Sequence, residues 1–519
     1  MLRFLFYPAI VVFSIGCFIR LIPIIQNFPY PIGYDSINYY LPTLYNLNYS
    51  WINGDTLYPG YIFLVYFFST MSFSDLYLSF NIVNVILNGS LSVTTFFLIK
   101  NVLRQSDGRS MMFTIFVIFQ LSILRISWDL YRDMLSLIFF NLYLIVLNNL
   151  WSSTAKKSII VLYVTVFVLS FITIISDRMI GILLIISSFI ISIAYKNKLL
   201  FAINSFFLII FLMYFFFLDD ITFISLDANF MEVLVNSGYA KNGFSQYDVL
   251  VLFLSLYGVI LPFFVIGFVK MPNSMFLKIP TLITLIFSFS WVIIPNYNYL
   301  VPERWMILSG FFISIFGFYT FLIIVDRLKS PIIKKFFSIS FMLSFVSYGI
   351  LFVILPYGVI FSIPSLFHIQ TEFIFPMSMS FNSLEISKNN DLVKSIDWIN
   401  TNTGNNSTIV GTKHWRGWFN LFLEAPRQYV FNENITKSSN LLSYEKNTIA
   451  FSSILKNKLS YECKDVDIEF SNTVNRIEKG QNIYVIDLVD KFPIHYQSIH
   501  IVYQSKYFII YDLTNIICM

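Results

Sequence analysis

Long apolar runs alternate with short polar segments over the first 360 residues of the chain. Most of these runs approach the ~20 residues that an α-helix needs to cross the apolar core of a bilayer. The first run has a basic start but no small-x-small cleavage site, so we expect it to remain as an uncleaved span. Transmembrane helices are predicted at 4–25, 75–99, 110–126, 133–150, 158–175, 179–195, 199–218, 248–269, 279–294, 305–325 and 336–360.

A further apolar run at 58–73 is short and begins near Pro59 and Gly60. If it lies along the membrane surface, the loops on one side of the membrane contain fourteen Lys and Arg and those on the other side contain four. Short cytoplasmic loops carry the excess of basic residues in membrane proteins. We therefore predict a surface helix at 58–73 and a multi-pass cell-membrane protein with a cytoplasmic N-terminus and an extracytoplasmic C-terminal domain.

The composition changes after residue 360. The whole chain is 57% hydrophobic and only 12% charged, against about 25% charged in an ordinary soluble domain, yet nearly half of the charged residues follow this point. The segment "NNDLVKSIDWINTNTGNNSTIVGTK" predicts a helix, an Asn/Gly turn and a short buried strand. The segments "RQYVF", "NIYVIDLV" and "IHIVYQSKYFIIYDL" predict further strands, the last with a hairpin turn at 504–506. The predicted fold is a polytopic α-helical membrane domain at 1–360, with an outer loop and surface helix at 26–74, followed by a small α/β domain at 361–519.

Several function classes are disfavoured by the sequence. The net charge of +5 is small and dispersed, so no nucleic-acid partner is expected. The chain has no Walker loop, dinucleotide glycine fingerprint or serine-hydrolase elbow, which argues against an ATP-driven pump or a soluble nucleotide-sugar enzyme. The four His residues lack metal-ligand spacing, so no zinc site is predicted. Cys463 and Cys518 both lie in the C-terminal domain, and the sequence does not decide whether they form a disulfide.

The first outer loop, "NFPYPIGYDSINYYLPTLYNLNYSWINGDTLYPGY", contains no Lys or Arg but is rich in Tyr. Its Asp35 is a candidate general base, with helix capping at Ser36 as the alternative role. Tyr34 and Tyr39 are candidates to stack on a sugar or an isoprenoid chain, although Tyr is also common at membrane interfaces. Asp55 follows Asn-Gly and is predicted as a turn residue.

Three arginines lie beside carboxylates at the predicted outer ends of spans. An ionisable residue at such a depth needs an opposite charge or a wet cavity. Guanidinium groups present paired donors that suit phosphate oxygens, so each arginine is a candidate phosphate contact. Structural ion pairs and a favourable helix dipole would account for the same pattern. The groups are Arg132 with Asp129 and Asp133, Arg178 with Asp177, and Arg304 with Glu303.

Three segments resemble the GT-C superfamily of membrane glycosyltransferases. They are "PIGYDSINYY", the "TLYPGYIFLVYFFSTMSF" run with the span after it, and "LRISWDLYRDMLSLIFFNLYLIV". The resemblance is to the branch that includes protein O-mannosyltransferases and aminoarabinose transferases. It covers about the first 180 residues, and the later spans only in pattern. It implies inverting transfer of a sugar from a polyprenyl (dolichyl) phosphate donor, among membrane lipids, to an external protein, lipid or glycan. Asp35 then occupies the place of the essential acidic residue of the first loop.

Two alternatives remain open from the sequence. Related oligosaccharyltransferase subunits use a divalent cation, and Asp129 and Asp133 are spaced to share one helix face. The sequence therefore leaves open whether Mg²⁺ or Mn²⁺ is a cofactor, with Asp177 and Glu303 as supporting carboxylates. The position of Arg132 next to Asp129 and Asp133 counts against a cation site, as does the lack of a WWDYG-type signature. The rival function is a transporter or flippase of lipid-linked sugars. The internal repeats typical of transporters are not evident in the sequence.

Overall fold

The computed structural model describes eleven segments of the chain, and every structural statement below concerns them. Contacts divide the chain into two compact units. The first contains the long apolar helices, and the second contains Pro29–Pro42 together with the chain from Ser380 onward. The described segments are 2–45, 59–152, 156–213, 253–254, 256–272, 274–290, 302–354, 388–411, 415–431, 482–489 and 500–512.

Sixteen α-helices and one π-helical turn are present in the described residues. Their order follows the predicted apolar runs and then enters the C-terminal domain. They are α1 Leu2–Asn27, the π-helical turn Ser36–Tyr40, α2 Leu41–Tyr45, α3 Pro59–Ser72, α4 Leu76–Val102, α5 Asp107–Ile118, α6 Leu121–Asp129, α7 Tyr131–Ser152, α8 Lys156–Ser176, α9 Arg178–Ala194, α10 Lys198–Met213, α11 Leu261–Lys270, α12 Met275–Ser288, α13 Pro302–Arg327, α14 Pro331–Ile354, α15 Asn389–Asn402 and α16 Arg416–Phe422.

The prediction of a polytopic helical membrane protein is confirmed. Within the described residues, six helices are long and apolar enough to cross a membrane, and each of the eleven predicted runs contains all or part of a described helix. The ends of some predicted spans, and Asp55, lie outside the described residues. The six long helices are Tyr7–Asn27, Leu76–Val102, Tyr131–Trp151, Ile159–Ser176, Arg304–Arg327 and Pro331–Leu351.

The run predicted as one span at 110–126 is divided into two helices. α5 and α6 are bent by 67° relative to each other. The backbone of Gln120 is extended, with φ −65° and ψ 136°, and this conformation interrupts the helical hydrogen-bond ladder. The side chains near the end of α6 consequently point in directions that a straight helix would not give.

Small residues allow α1 and α4 to approach closely. A Cβ atom on Gly16 would lie 2.7 Å from the carbonyl oxygen of Asn88, and one on Gly89 would lie 2.6 Å from Cys17 Sγ. The Asn88 side chain also donates a hydrogen bond of 2.8 Å to the Gly16 carbonyl. Close contact between small residues and interhelical hydrogen bonds stabilise helix pairs in membranes, where the hydrophobic effect adds little. This packing fixes the position of α1 against α4.

The second unit is built on a five-stranded sheet of order β2-β1-β3-β5-β4. β1, β2 and β3 are parallel, whereas β5 is antiparallel to both β3 and β4. The predicted hairpin, with its turn after Gln504, is confirmed by the β4 and β5 pairing. The strands are β1 Thr408–Gly411, β2 Gln428–Phe431, β3 Ile483–Leu488, β4 His500–Gln504 and β5 Phe508–Asp512.

The core of this unit contains one residue from a distant part of the sequence. Ile37, from the π-helical turn, is fully buried in the same apolar cluster as residues of α15, α16 and the sheet. The sequence analysis placed 26–74 with the membrane domain, whereas contacts place Pro29–Pro42 in the second unit. The other buried members of the cluster include Leu392, Ile396, Ile399, Ile409, Trp415, Trp418, Phe419, Ile486, Phe508 and Ile510.

Candidate functional site

Four of the predicted site residues converge in the first unit. Asp133 lies in the first turn of α7 and forms a hydrogen bond with Asp177, which immediately precedes α9. Arg304, near the start of α13, and Arg132 both interact electrostatically with Asp133. The two carboxyl groups are buried, at 8% and 3% exposure. Three helix starts that are far apart in sequence therefore bring two buried carboxyl groups and two half-buried arginines together. We call this group the Asp133 cluster.

Sequence neighbours did not predict the partners inside the Asp133 cluster. The sequence associated Arg304 with Glu303, whereas the structure brings Arg304 to Asp133. Arg178 is the first residue of α9 and is half-buried. The Glu303 side chain lies outside what the structure describes. Charges on different helices meet because the helices pack, and a single sequence carries no direct signal for that pairing.

Asp177 also has a structural function as the N-cap of α9. Its Oδ1 atom accepts hydrogen bonds from the backbone N–H groups of Met179 and Ile180, at 2.8 and 3.0 Å. These bonds satisfy two of the N–H groups that a helix start leaves without partners. The carboxyl group thus stabilises α9 and belongs to the Asp133 cluster at the same time.

Substitution of Asp177 separates these two functions. We expect Asp177→Ala to lower the free energy of unfolding by about 1 kcal/mol through loss of the cap, whereas Asp177→Asn retains the cap. Thermal unfolding of both variants in detergent micelles measures the difference. Equal destabilisation by the two substitutions would show that the charge of Asp177, and not capping, stabilises the helix.

Asp129 has a partner that the sequence analysis did not assign. It forms a buried ion pair with Arg125, one turn earlier in α6. The expectation that Asp129 and Asp133 share one helix face is wrong, because α6 ends at Asp129 and the backbone at Leu130 (φ −96°, ψ 57°) is not helical. Removing one member of a buried ion pair leaves an uncompensated charge, so this pair contributes to the integrity of the α6–α7 junction.

The residues of the Asp133 cluster do not fit a divalent cation. The two carboxyl groups share their surroundings with Arg132 and Arg304, whose positive charges oppose metal binding. Across the described residues, no group of three or more His, Cys, Asp or Glu is arranged to hold a metal ion. The chemistry available to this cluster is therefore the binding of an anion by guanidinium groups.

A second cationic group, centred on Arg20 of α1, was not selected from the sequence. Its Nη2 atom donates a hydrogen bond to the Tyr131 hydroxyl. The guanidinium carbon lies 5.2 Å from the centroid of the Tyr131 ring and 5.9 Å from that of Trp128. Tyr61 of α3 stacks on Tyr131 at 5.4 Å, and Phe80 of α4 meets the same ring edge-on at 5.5 Å. The sequence feature that could have identified this group is the single Arg within the first apolar run.

Asp35 lies in the second unit, at the start of the π-helical turn, and is 8% exposed. Its side chain forms no capping hydrogen bond to that turn, so the capping function considered from the sequence is not supported. Gly33 has φ 94°, a left-handed conformation that residues with a Cβ atom rarely adopt. This glycine lets the chain turn just before Asp35.

Tyr34 and Tyr39, the predicted stacking residues, contact each other. Their rings meet edge-on with centroids 6.1 Å apart, and their hydroxyls share a hydrogen bond. Burial raises the pKa of Tyr34 well above its ordinary value, and the nearby Tyr39 and Asp35 raise it further. The Tyr34 hydroxyl therefore stays protonated at neutral pH and can donate a hydrogen bond. Tyr39 is 52% exposed and offers an accessible ring.

α16 holds the Asp35 turn within the second unit. The backbone N–H of Gly417 donates to Asn38 Oδ1 at 3.1 Å, and Arg416 interacts electrostatically with Tyr34. Trp418 meets the Tyr30 ring edge-on at 6.2 Å. The segment "KHWRGWFN", which matched no catalytic signature in the sequence, thus supplies residues that fix the backbone around Asp35.

The fold is similar to that of solved structures. ArnT from Cupriavidus metallidurans bound to undecaprenyl phosphate aligns with a TM-score of 0.54 and 11% sequence identity, over 97% of each chain. The same protein in the apo state aligns with a TM-score of 0.51 and 9% identity, also over 97% of each chain. No protein-family model matches the sequence, and no curated protein matches it. The resemblance predicted from the first 180 residues is confirmed for the fold: the chain is similar in fold to ArnT along nearly its whole length.

Proposed function

We propose that this protein is a membrane glycosyltransferase that moves a sugar from a polyprenyl-phosphate donor to an extracytoplasmic acceptor. The observation that carries the proposal is the Asp133 cluster, which brings the half-buried Arg132 and Arg304 to a buried pair of carboxyl groups. It occurs in a chain with the fold of a protein crystallised with undecaprenyl phosphate. Arginines within a membrane domain are costly and are typical of sites that bind anions.

The proposed reaction is an inverting displacement at the anomeric carbon. The acceptor hydroxyl oxygen bonds to this carbon, and the bond from the carbon to the phosphate oxygen breaks. The electron pair leaves on the lipid phosphate, whose charge the arginines stabilise, and Asp35 accepts the hydroxyl proton. No step requires a metal, although a divalent cation remains compatible with the chemistry of such a donor.

In the absence of donor, the carboxyl groups balance the arginines. Asp133 interacts with both guanidinium groups of its cluster, so their positive charge is compensated until a phosphate binds. We propose that Arg132, Arg178 and Arg304 are the phosphate contacts. Asp129, Asp133, Asp177 and Glu303 then act as supporting carboxylates, and Tyr34 and Tyr39 contact the sugar or the isoprenoid.

The transfer reaction can be measured directly in reconstituted vesicles. Wild type, Arg304→Gln and Arg304→Lys are each incubated with radiolabelled polyprenyl-phosphate sugars and an extract of extracytoplasmic acceptors. We expect the Gln variant to lose about tenfold to a hundredfold in kcat/KM, because a charged hydrogen bond to phosphate is worth ~1.5–3 kcal/mol. Lys restores part of the activity because it keeps the charge without the paired donors.

Arg109→Gln is the control substitution, because Arg109 forms an exposed ion pair with Asp326 and contributes little to stability. The rival transporter function predicts a different result in the same vesicles. If labelled lipid changes leaflet without any transfer to acceptor, the protein is a transporter of lipid-linked sugars and the glycosyltransferase proposal is wrong. The proposed orientation, with the N-terminus cytoplasmic and the C-terminal domain outside, is tested by protease accessibility of the C-terminal domain.

A further inference from the structure

We propose that Arg20 is a phosphate-binding residue for the lipid donor, a function that neither the sequence pattern nor the comparisons assigned to it. The inference rests on the proposed function and names an additional contact for the donor phosphate. The Arg20 side chain is 1% exposed. Its Nε and Nη1 atoms are buried without a hydrogen-bond partner, and none of the ion pairs formed by the described residues includes it.

A buried guanidinium without a carboxylate is costly, and the surrounding aromatic rings compensate only part of that cost. The guanidinium lies over the rings of Tyr131 and Trp128. Its one hydrogen bond, to the Tyr131 hydroxyl, occupies a single nitrogen, Nη2. Arg125, by contrast, is paired with Asp129 in the same unit. Buried arginines in membrane proteins are normally paired or mark a ligand pathway. Arg20 thus has the donors for an anionic ligand that the protein itself does not supply.

The chemistry around Arg20 suits the phosphate end of an isoprenoid lipid. The unused donors are on Nε and Nη1, and a charged N–H group of this kind forms a strong hydrogen bond to a phosphate oxygen. The rings of Trp128 and Tyr131 lie against the guanidinium, and Tyr61 and Phe80 pack on Tyr131. Such an aromatic group would contact an apolar chain. Arg20 lies about two helical turns, or ~10 Å, from the end of the α1 span at Asn27.

Binding of undecaprenyl phosphate tests the assignment without requiring catalysis. Wild type, Arg20→Gln, Arg20→Lys and Tyr131→Phe are placed in phosphatidylcholine nanodiscs that contain graded amounts of undecaprenyl phosphate, and bound lipid is counted by native mass spectrometry. We expect Arg20→Gln to weaken binding about tenfold to a hundredfold and Arg20→Lys to weaken it less. Tyr131→Phe removes the hydroxyl that holds Arg20 Nη2 and should weaken binding less than Arg20→Gln does.

Parallel titrations with inorganic phosphate and with farnesyl phosphate identify the source of the phosphate. Binding of both isoprenyl phosphates but not of inorganic phosphate supports a lipid site, whereas equal competition by inorganic phosphate overturns the lipid assignment. Arg109→Gln is the control for a general loss of positive charge, and thermal unfolding reports whether each variant is folded. If Arg20→Gln is not folded, Arg20→Lys and Tyr131→Phe carry the test.

Failure of this inference is distinguishable from failure of the proposed function. If wild type binds undecaprenyl phosphate and a folded Arg20→Gln variant binds it equally well, Arg20 is a structural cation and only this inference is overturned. If wild type binds none of the isoprenyl phosphates, the proposed donor class is wrong as well. In the transfer assay, an unchanged KM for donor in Arg20→Gln would also overturn the assignment.

Discussion

Replacing Asp35 with Asn should lower the rate of sugar transfer by about 10²- to 10⁴-fold, the contribution expected of a general base. The substitution keeps the size of the side chain but removes the carboxylate that would take the proton from the hydroxyl of the acceptor substrate. Asp35 is buried and forms no capping hydrogen bond to the π-helical turn that follows it, so stability should change little through loss of a cap. The measurement is single-turnover transfer from a radiolabelled polyprenyl-phosphate sugar.

The control is Asp397→Asn, the same change at an exposed position of α15 in the same unit. It should leave the rate unchanged. Donor binding separates the base function from a binding function, because Asp35→Asn should still bind undecaprenyl phosphate like wild type. A folded Asp35→Asn enzyme that transfers sugar at the wild-type rate would exclude Asp35 as the base. Loss of donor binding together with loss of transfer would instead assign Asp35 to the donor site.

Much of the membrane architecture could be predicted from the sequence, because apolar length and loop charge are local properties of the chain. The predicted runs correspond to described helices, and the hairpin of β4 and β5 follows directly from alternation and a polar turn. The break at Gln120 could not be predicted from the apolar pattern, since both α5 and α6 continue it. Helix periodicity reports which residues are apolar and does not report where the backbone bends.

The candidate site was less predictable, because its contacts depend on tertiary packing. Asp133 and Arg304 meet only when α7 and α13 assemble, and Asp129 takes a partner one turn earlier on its own helix. Arg20 lies in an apolar run without a nearby acidic residue, and this local pattern is visible in the sequence. The aromatic rings that contact it come from α6 and α7, and the sequence gives no sign of them. Sequence therefore identified most of the charged residues and not their partners.

Gly417→Ala should reduce sugar transfer strongly, through its effect on the position of the Asp35 turn. A Cβ atom at residue 417 would lie 2.7 Å from Asn38 Oδ1 and would also contact the Ile37 carbonyl. The Ile37 atoms are backbone, so a rotamer change cannot relieve the overlap. Overpacking of this kind costs about 1–3 kcal/mol, and a displacement of a catalytic group by ~1 Å costs about 10²-fold in rate.

Gly404→Ala is the matched control in the same unit. The nearest atoms to a Cβ atom at residue 404 are 3.8 Å away, which is an ordinary contact. We expect this variant to transfer sugar at the wild-type rate, and Gly417→Ala to lower kcat while undecaprenyl phosphate still binds. Equal rates for wild type and a folded Gly417→Ala variant would mean that α16 does not position Asp35. Loss of kcat with retained donor binding would instead give the C-terminal domain a defined function: Ile37 is part of its core, so the domain holds the loop that carries the proposed base.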